Sequence, residues 1–395
     1  MPTNFDNIPN RRRPGHLNRW TLHPNLVQPL PKEVVSMWLA DMDFPAPKPI
    51  LDALYGEVRH GVFGYDLPSP ELLEVVATRM DRLYNWKIKP EMIIALPGTI
   101  SGLSVAARAF CSPERGIMVQ TPVYNHFLYL EKNIGVPLHV APFVKSVDGN
   151  ILHYEIDWDL FEQQVKRAGM FLLCNPHNPL GIVFSGKELA RMADICIRNA
   201  VLIVSDEIHA ELLLDDNKFT PIGRLSSDIG RSTISLVAAS KAFNVPGLHC
   251  GFAIIPNKSL RDRFVNMVER LDLLVPSLGL VAARAAFSGR CDGWLMALRR
   301  YLTENRNFLL SYVTEFMPEV RTTIPQATYL GWLDFTATAI QGSPFEFFMK
   351  EAKVALSDGK IFGKEGEGHV RINFGTSRRI LEQGLSKMRR ALEKI

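Results

Sequence analysis

Cysteine and long apolar runs are both scarce in this sequence. Only five of its 395 residues are cysteines, and they show neither C-x-x-C nor metal-finger spacing. The sequence therefore predicts neither a disulfide framework nor a metal site. No stretch approaches the ~20 apolar residues that span a bilayer, and the amino terminus lacks the apolar core of a signal peptide. These absences predict a cytoplasmic globular protein with no membrane segment.

A strong charge of either sign is also absent. With 45 basic and 41 acidic residues the net charge is +4, which gives no electrostatic case for binding nucleic acid or a membrane surface. The one tight basic run, residues 11–13, lies in an opening rich in proline and asparagine and is predicted to be a solvated arm. What is present is an ordinary globular composition, 47% hydrophobic and 22% charged, in a chain long enough for about two domains.

Short apolar runs alternate with helical patterns up to about Pro256. This alternation predicts an α/β fold with a mostly parallel sheet flanked by helices. Beyond Pro276, amphipathic stretches alternate with short strands, which predicts a smaller α+β domain. Residues 37–45 predict a further strand ending in prolines. The apolar runs are 92–96, 116–120, 170–174, 201–204, 234–239 and 251–255; the later strands lie near 329–335 and 370–374; the helical segments are 101–111, 186–199, 294–316, 343–354 and 379–395.

We predict three units from this pattern. Residues 1–45 form an N-terminal arm and part of the small domain, residues 46–285 form the large domain, and residues 286–395 form the small C-terminal α+β domain. In open α/β sheets, ligands bind outside the carboxyl ends of the strands. The residues that follow each apolar run of the large domain are therefore the first candidates for a cofactor or substrate site.

The first three runs are followed by residues that suit a flat, phosphorylated ligand. After the first, a turn through Gly98, Thr99 and Ile100 leads into a predicted helix, whose unpaired first-turn amides suit a phosphate. Ordinary helix starts look the same, so this turn alone is weak evidence. After the second run comes Tyr124, which either covers a flat ring or packs in the core. After the third comes Asn178, in a loop rich in Asn-Pro turns, with its amide beside the crevice.

Asp206 and Lys241 follow two later runs and are the most informative pair. A buried carboxylate such as that of Asp206 needs a partner, and one natural partner is a protonated ring nitrogen. A partly desolvated lysine amine loses its proton easily and can form an imine with an aldehyde. Lys241 lies 35 residues after Asp206, about one βαβ step, so we expect the two to emerge from neighbouring or near-neighbouring strand ends.

One cofactor accounts for all five features, and their coincidence is far more specific than any one of them. Pyridoxal 5'-phosphate needs an amine for its aldehyde, a carboxylate for its pyridine nitrogen and a donor for its phenolic oxygen. It also needs an aromatic side chain over its ring and a helix N-terminus for its phosphate. We therefore predict that the large domain binds pyridoxal phosphate.

The chain resembles a known family along essentially its whole length. It is similar to the fold type I pyridoxal-phosphate enzymes of aminotransferase class I and II, and within them to the cystathionine β-lyase (carbon–sulfur lyase) branch. A tyrosine usually stands where His209 does in typical aminotransferases, and histidine there is similar to the lyase branch. The resemblance rests on residues 38–44, 63–65, 178–181, 205–209 and 240–248.

The resemblance implies a role for each candidate residue. Lys241 would form the imine with the cofactor and later shuttle a proton, while Asp206 would keep the pyridine nitrogen protonated. Arg371 would grip the substrate carboxylate in a bidentate fork. The remaining implied contacts are Asn178 and His209 to the phenolic oxygen, Tyr124 stacked on the ring, Gly98, Thr99, Ile100 and Ser240 to the phosphate, Tyr65 of the partner subunit in a homodimer to the same phosphate, and Ala40 and Asn178 to the substrate carboxylate.

Two positions depart from the family pattern. His249 stands where many relatives have an arginine that neutralises the phosphate, so either dipoles and hydroxyls hold the phosphate or another residue supplies the charge. Leu180 stands where threonine is usual, so the resemblance does not define the substrate pocket at this position.

The implied activity is β-elimination from an S-substituted cysteine such as cystathionine, giving a thiol, pyruvate and ammonia. An aminotransferase that moves an amino group between an amino acid and a 2-oxo acid uses the same groups and stays an alternative. So does a deaminase or carbon–sulfur lyase of specialised metabolism acting on a bulky S-conjugate. A pyridoxal-phosphate-binding regulator is a rival from another class. It would act through a protein partner, because the sequence has no helix-turn-helix motif and no basic stripe.

Overall fold

The computed structural model describes residues 4–13, 15–23 and 29–395. The described helices are Lys48–His60 (α1), Pro70–Tyr84 (α2), Thr99–Phe110 (α3), Asn125–Leu130 (α4), Trp158–Val165 (α5), Gly186–Arg198 (α6), Ser227–Arg231 (α7), Lys258–Arg270 (α8), Ser277–Phe287 (α9), Asp292–Phe316 (α10), Pro344–Phe347 (α11) and Arg378–Leu392 (α12). The described strands are Val35–Ser36 (β1), Ile93–Leu96 (β2), Gly116–Val119 (β3), Leu138–Val140 (β4), Val144–Asp148 (β5), Ile151–Glu155 (β6), Ala168–Cys174 (β7), Leu202–Asp206 (β8), Thr233–Val237 (β9), Gly251–Ile254 (β10), Arg321–Thr322 (β11), Leu330–Asp334 (β12), Val354–Ala355 (β13), Ser357–Asp358 (β14) and His369–Asn373 (β15).

A seven-stranded sheet contains all six predicted apolar runs. Its strand order is β2-β10-β9-β8-β7-β3-β4, and β10 alone runs antiparallel to its neighbours. Strands β3, β9 and β10 are buried at every residue, because helices cover both faces of the sheet, and such strands appear in sequence as unbroken apolar runs. The predicted α/β class with a mostly parallel sheet is therefore confirmed. Strands β7 and β8 end at Cys174 and Asp206, which places these residues at the carboxyl edge.

A second sheet of six strands has the order β14-β15-β12-β11-β6-β5. Its centre is the antiparallel pair β12 and β15, in which every residue is buried. Strands β5 and β6 belong to this sheet although they lie within 46–285, so the chain crosses between the two sheets. The division into an arm, a large domain and a small domain stays a prediction.

The predicted strand at 37–45 is wrong. Strand β1 ends at Ser36, and beyond Met37 side chains take many of the backbone hydrogen bonds of the following segment. Asn244 accepts from the Met42 amide at 2.9 Å and donates to the Met42 carbonyl at 2.9 Å and the Phe44 carbonyl at 2.7 Å. Asn373 donates to two more carbonyls of the segment. This clamping brings the segment over the carboxyl edge of the large sheet.

The predicted solvated arm at 11–13 is also wrong for its first two residues. The Arg11 guanidinium lies 2.6 Å from the Asp41 carboxylate and 3.1 Å from that of Asp43. Arg12 donates to two backbone carbonyls of the chain near β1, and only Arg13 is exposed. The run therefore fastens the N-terminal segment to the clamped one, a contact that the local sequence does not encode.

Asp43 is the centre of this attachment and carries a prediction about stability. Its buried carboxylate accepts from Arg19 at 2.5 Å, from Trp20 at 2.8 Å and from Thr376 at 2.7 Å. Burial opposes its ionisation, but Arg19 and the hydrogen bonds outweigh burial and hold the pKa of Asp43 below its ordinary value. Asp43→Ala removes the nearer carboxylate partner of the fully buried Arg19 and leaves only the Asp41 carboxylate, at 3.4 Å. We therefore expect a loss of about 3 kcal/mol in the free energy of unfolding, the lower end of the range for breaking a buried ion pair, measured by chemical denaturation.

Asp52→Ala is the matched control for that measurement. Asp52 pairs with Lys48 on the surface of α1, with side chains 56% and 83% exposed, and exposed pairs of this kind contribute less than ~1 kcal/mol. Equal losses in the two variants would contradict the assignment of Asp43 as a buried anchor.

Within the described ranges, no helix is both long enough and apolar enough to cross a membrane. In the same part of the chain, no group of three or more histidine, cysteine, aspartate or glutamate side chains is arranged to hold a metal ion. All five cysteines are free, and four of them are buried.

Candidate active site

A cavity of about 390 Å³ lies at the carboxyl edge of the large sheet. Its wall brings together residues that are far apart in sequence, because the strand ends, the start of α3 and the clamped segment converge there. Ten of the twelve predicted site residues line it: Ala40, Gly98, Thr99, Ile100, Tyr124, Asn178, Asp206, His209, Ser240 and Lys241. Arg371 lies immediately behind this wall, and Tyr65 lies outside it.

The start of helix α3 forms one wall of the cavity. Gly98 is the N-cap and has φ +126, a conformation that L side chains rarely adopt. No side chain caps the helix, so its first amides are free to bind a ligand. A Cβ on Gly251 would meet the Gly98 backbone at 3.3 Å, and strand β10 therefore packs directly against this turn. An anion is the natural partner of such a helix start.

Asp206 ends strand β8 with its carboxylate buried in the cavity wall. It accepts hydrogen bonds from the Ile208 amide at 3.2 Å and the Thr99 hydroxyl at 3.4 Å, and it forms no ion pair with any described residue. Burial raises the pKa of Asp206 to about 6, an effect that these hydrogen bonds and the nearby Lys241 only partly offset. A cationic donor in the cavity would supply the partner that this carboxylate lacks.

Lys241 reaches the cavity from the turn after β9. Its Nζ donates to the carbonyl of Ala40 at 2.6 Å, and the same carbonyl accepts from the Tyr329 hydroxyl at 2.8 Å. Desolvation lowers the pKa of Lys241 to about 8, although Asp41 and Asp206 act in the opposite direction. The amine is therefore far easier to deprotonate than an exposed lysine.

Polar and aromatic side chains complete the wall. Burial holds the pKa of His209 well below its ordinary value, with Lys241 and Arg371 acting in the same direction, so its imidazole is neutral. The His209 Nδ1 atom has no hydrogen-bond partner among the described residues. Tyr124 directly precedes α4 and is half-buried, and burial raises its pKa to about 12. Asn178 accepts from Arg371 with its side-chain oxygen, which leaves its amide nitrogen available.

Arg371 lies in strand β15, at the centre of the smaller sheet. Its guanidinium donates to the Asn178 side chain at 3.0 Å, the Trp38 carbonyl at 2.9 Å and the Ser357 hydroxyl at 3.2 Å. Burial lowers the pKa of Arg371 to about 10, so the group remains cationic at neutral pH. It pairs with no carboxylate among the residues that the structure describes, and its buried Nε has no partner there. A substrate carboxylate would supply both an acidic partner for the cation and a hydrogen-bond acceptor for the free N–H groups of the guanidinium.

The two departures from the family pattern lie in different environments. His249 has φ +48 and lines the cavity as an exposed residue, so it is placed to contact a ligand. Leu180 is fully buried in a core cluster with Phe184 and Trp332 and is not among the residues that line the cavity. The substitution at Leu180 therefore alters packing behind the site and does not alter the cavity wall.

Sequence reasoning missed Tyr329, Ser357 and Phe362. Tyr329 lies within the segment predicted as a strand, and nothing in that pattern distinguishes it from a core residue. Ser357 begins the two-residue strand β14, and Phe362 ends the short 3-10 helix that follows it, and elements this short give no signal in hydrophobic periodicity. Tyr329 contacts Ala40, and Ser357 and Phe362 contact Arg371. These contacts are made by tertiary structure and leave no local pattern in the sequence.

Comparison with known proteins decides the family. Residues 49–388 match the family of aminotransferase class I and II. The chain belongs to this family. Among its relatives, the cystathionine beta-lyase PatB of Bacillus subtilis is 35% identical over 364 residues, which cover 91% of this chain and 93% of PatB.

Solved structures of similar proteins agree over nearly the whole chain. A PLP-bound putative aminotransferase from Clostridium difficile has a TM-score of 0.93 with 32% identity and covers 98% of this chain and 99% of its own. A PLP-bound C-S lyase from Staphylococcus hominis has a TM-score of 0.91 with 29% identity and covers 99% of this chain and 98% of its own. This member of the aminotransferase class I and II family therefore shares its architecture with a protein named as a putative aminotransferase and with one named as a C-S lyase.

Proposed function

We propose that this protein is a pyridoxal-phosphate-dependent carbon–sulfur lyase. It cleaves an S-substituted cysteine such as cystathionine by β-elimination and gives a thiol, pyruvate and ammonia. The observation that carries the proposal is the pairing, in one cavity, of a lysine amine with a lowered pKa and a buried aspartate that forms no ion pair with any described residue. The cystathionine beta-lyase and C-S lyase named among the similar proteins support this reaction over others of the family.

The cavity fits pyridoxal phosphate at each of its polar groups. The free amides at the start of α3, together with Ser240, would hold the phosphate, and Asp206 would pair with the protonated pyridine nitrogen. His209, whose Nδ1 has no hydrogen-bond partner among the described residues, and the side-chain amide of Asn178 would lie at the phenolic oxygen, and Tyr124 would cover the ring. When bound, the cofactor supplies an electron-accepting ring for the pair of electrons left at the substrate α-carbon.

The chain's own residues bind the substrate and move the proton. Arg371 and Asn178 orient the α-carboxylate, with the Ala40 backbone beside it. The Lys241 amine, in its neutral form, would remove the α-proton. Asp206, whose buried carboxylate forms no ion pair with any described residue, would keep the pyridine nitrogen protonated. Loss of the thiolate from the β-carbon leaves an enamine, which hydrolyses to pyruvate and ammonia after release.

The test is pyruvate release from L-cystathionine and simple S-alkyl cysteines by the purified protein, without any 2-oxo acid. Release supports the lyase. An aminotransferase is the second candidate, favoured by the putative aminotransferase among the similar structures. It would give no pyruvate under these conditions, and its turnover would depend on an added 2-oxo acid. An unchanged cofactor spectrum with these substrates would indicate a bulkier S-conjugate as the substrate.

We also propose a cytoplasmic homodimer. Five free thiols are typical of a reducing compartment. Tyr65 is 95% exposed, and Val62, Phe63 and Leu67 beside it are also exposed, an apolar surface of the kind that a partner subunit covers. Tyr65 would then contact the phosphate in the partner's cavity. Sedimentation at micromolar concentration tests the dimer, and a fully active monomer would contradict it.

The pKa of Lys241 predicts how the protein without cofactor takes up pyridoxal phosphate. Only the neutral amine attacks the aldehyde, so covalent attachment should accelerate as pH rises and level off above about 8. An ordinary lysine would place this midpoint near 10.5, and at pH 7 the lowered pKa gives roughly 300-fold more neutral amine. Stopped-flow absorbance measures the rate, and borohydride reduction followed by mass analysis confirms the attachment site. A midpoint above 10 would contradict the prediction.

A further inference from the structure

The ring of Phe362 lies beneath the guanidinium of Arg371. The guanidinium carbon is 4.9 Å from the ring centroid, and Phe362 is fully buried. Trp332 packs its edge against the ring at 5.4 Å and thereby fixes the position of the ring. A cation over an aromatic face is attracted most strongly where water is excluded, as it is here. Phe362 is thus a strong partner of a buried cation that has no acidic partner among the described residues.

The hydrogen bonds of Arg371 hold only the two terminal nitrogens of the guanidinium, which donate to Asn178, Trp38 and Ser357. Its Nε has no partner among the described residues, so these bonds leave rotation about the line between the two held nitrogens. A face-on contact with a fixed ring restrains that rotation. Bidentate recognition of a carboxylate depends on this plane, because both N–H groups must point at both oxygens.

The backbone of Phe362 contacts a second segment of the site. Its carbonyl accepts from the Val123 amide at 2.7 Å, directly before Tyr124. Gly363 follows with φ +125, so the chain turns there in a conformation that disfavours other residues. One residue therefore contacts the arginine through its ring and the segment of Tyr124 through its backbone.

We infer that Phe362 is a positioning residue that sets recognition of the substrate α-carboxylate. It acts through Arg371 and touches neither substrate nor cofactor. The inference rests on the proposed function for the identity of the substrate as an amino acid. Loss of the ring lets the guanidinium tilt. Binding of the carboxylate should then weaken while proton transfer at Lys241 is preserved.

The test compares a free amino acid with its methyl ester, which lacks the carboxylate. In Phe362→Leu we expect KM for the S-alkyl cysteine acid to rise about tenfold with kcat changed less than about twofold. The ester should be nearly unaffected, so the acid-to-ester ratio of kcat/KM falls about tenfold. Phe362→Tyr keeps the aromatic face and should restore the ratio. Phe335→Leu is the matched control, because Phe335 is equally buried but packs on Phe348 in the core.

Equal losses for acid and ester in Phe362→Leu would overturn the inference, since a purely structural role predicts that result. Wild-type values of kcat/KM for both acid and ester in Phe362→Leu would overturn it as well. If the wild-type protein releases no pyruvate at all, the lyase proposal fails separately. The ratio is then measured as the binding of L-alanine and its methyl ester, by titrating the absorbance of the cofactor-loaded protein. A fall in that ratio supports the role of Phe362 whichever reaction the protein catalyses.

Discussion

Lys241→Arg should lower pyruvate release at least ~10³-fold, because a positioned acid–base group contributes up to about 10⁴-fold and the covalent role of the amine is lost with it. The variant should still bind pyridoxal phosphate, since the start of α3, Asp206 and Tyr124 are unchanged. Arginine stays protonated at any accessible pH, so the bound cofactor should remain uncoupled from the protein. Pyruvate assay and mass analysis after borohydride reduction measure the two effects.

Lys187→Arg is the control for this substitution. Lys187 is exposed at the start of α6, so its replacement should leave turnover and cofactor attachment unchanged. Near-normal turnover in Lys241→Arg would refute the assignment of Lys241, whereas failure to bind the cofactor would show that the arginine disrupts the cavity. Lys241→Ala distinguishes that case, because it removes the amine without adding volume.

Arg371→Gln should lower kcat/KM by about 10²- to 10³-fold, mainly through KM. Truncating one partner of a buried, hydrogen-bonded charge pair costs roughly 2–5 kcal/mol, and each 1.4 kcal/mol is about tenfold in affinity. The size of the effect follows from the environment of Arg371, which is buried and has no protein carboxylate to pair with among the described residues. Steady-state kinetics with an S-alkyl cysteine gives both constants.

Arg379→Gln is the matched control, because Arg379 is exposed at the start of α12. Arg371→Lys keeps the charge but loses the planar fork, so its KM should lie between those of the wild type and Arg371→Gln. A fall in kcat with KM unchanged in Arg371→Gln would contradict a role in substrate binding and would place Arg371 in the chemical step.

That the candidate cofactor-site residues line one cavity was predictable, because their placement follows from local rules. Asp206, Asn178 and the turn at Gly98 each come directly after an apolar run, and the carboxyl ends of neighbouring strands meet at one edge of a sheet. The cavity then brings Asp206 and Lys241 together as their spacing indicated. The prediction needed only the type of each element and its end, which hydrophobic periodicity supplies.

The structure of the clamped segment was not predictable in the same way. Its sequence reads as a strand, and the run at 11–13 reads as a solvated arm. Both predictions failed because the partners are distant: Lys241 is 201 residues from Ala40, and Asn244 is 202 residues from Met42. A side-chain hydrogen bond to a carbonyl far away in sequence produces no periodic pattern from which it could be predicted.

By itself, the sequence determined the α/β class, the cofactor and the pair of residues, Asp206 and Lys241, that we propose as central to its chemistry, because apolar runs and the residues at their ends are local properties. Only the tertiary structure decided the surroundings of Arg371, the proposed partner of the substrate carboxylate. Arg371 meets Asn178 across 193 residues and lies on a ring in a short turn of the smaller sheet's edge. The Arg371 cation has no acidic partner among the described residues. Two sheets, joined by chain crossings, enclose it away from water. That enclosure is a property of packing, and no segment of the chain contains it alone.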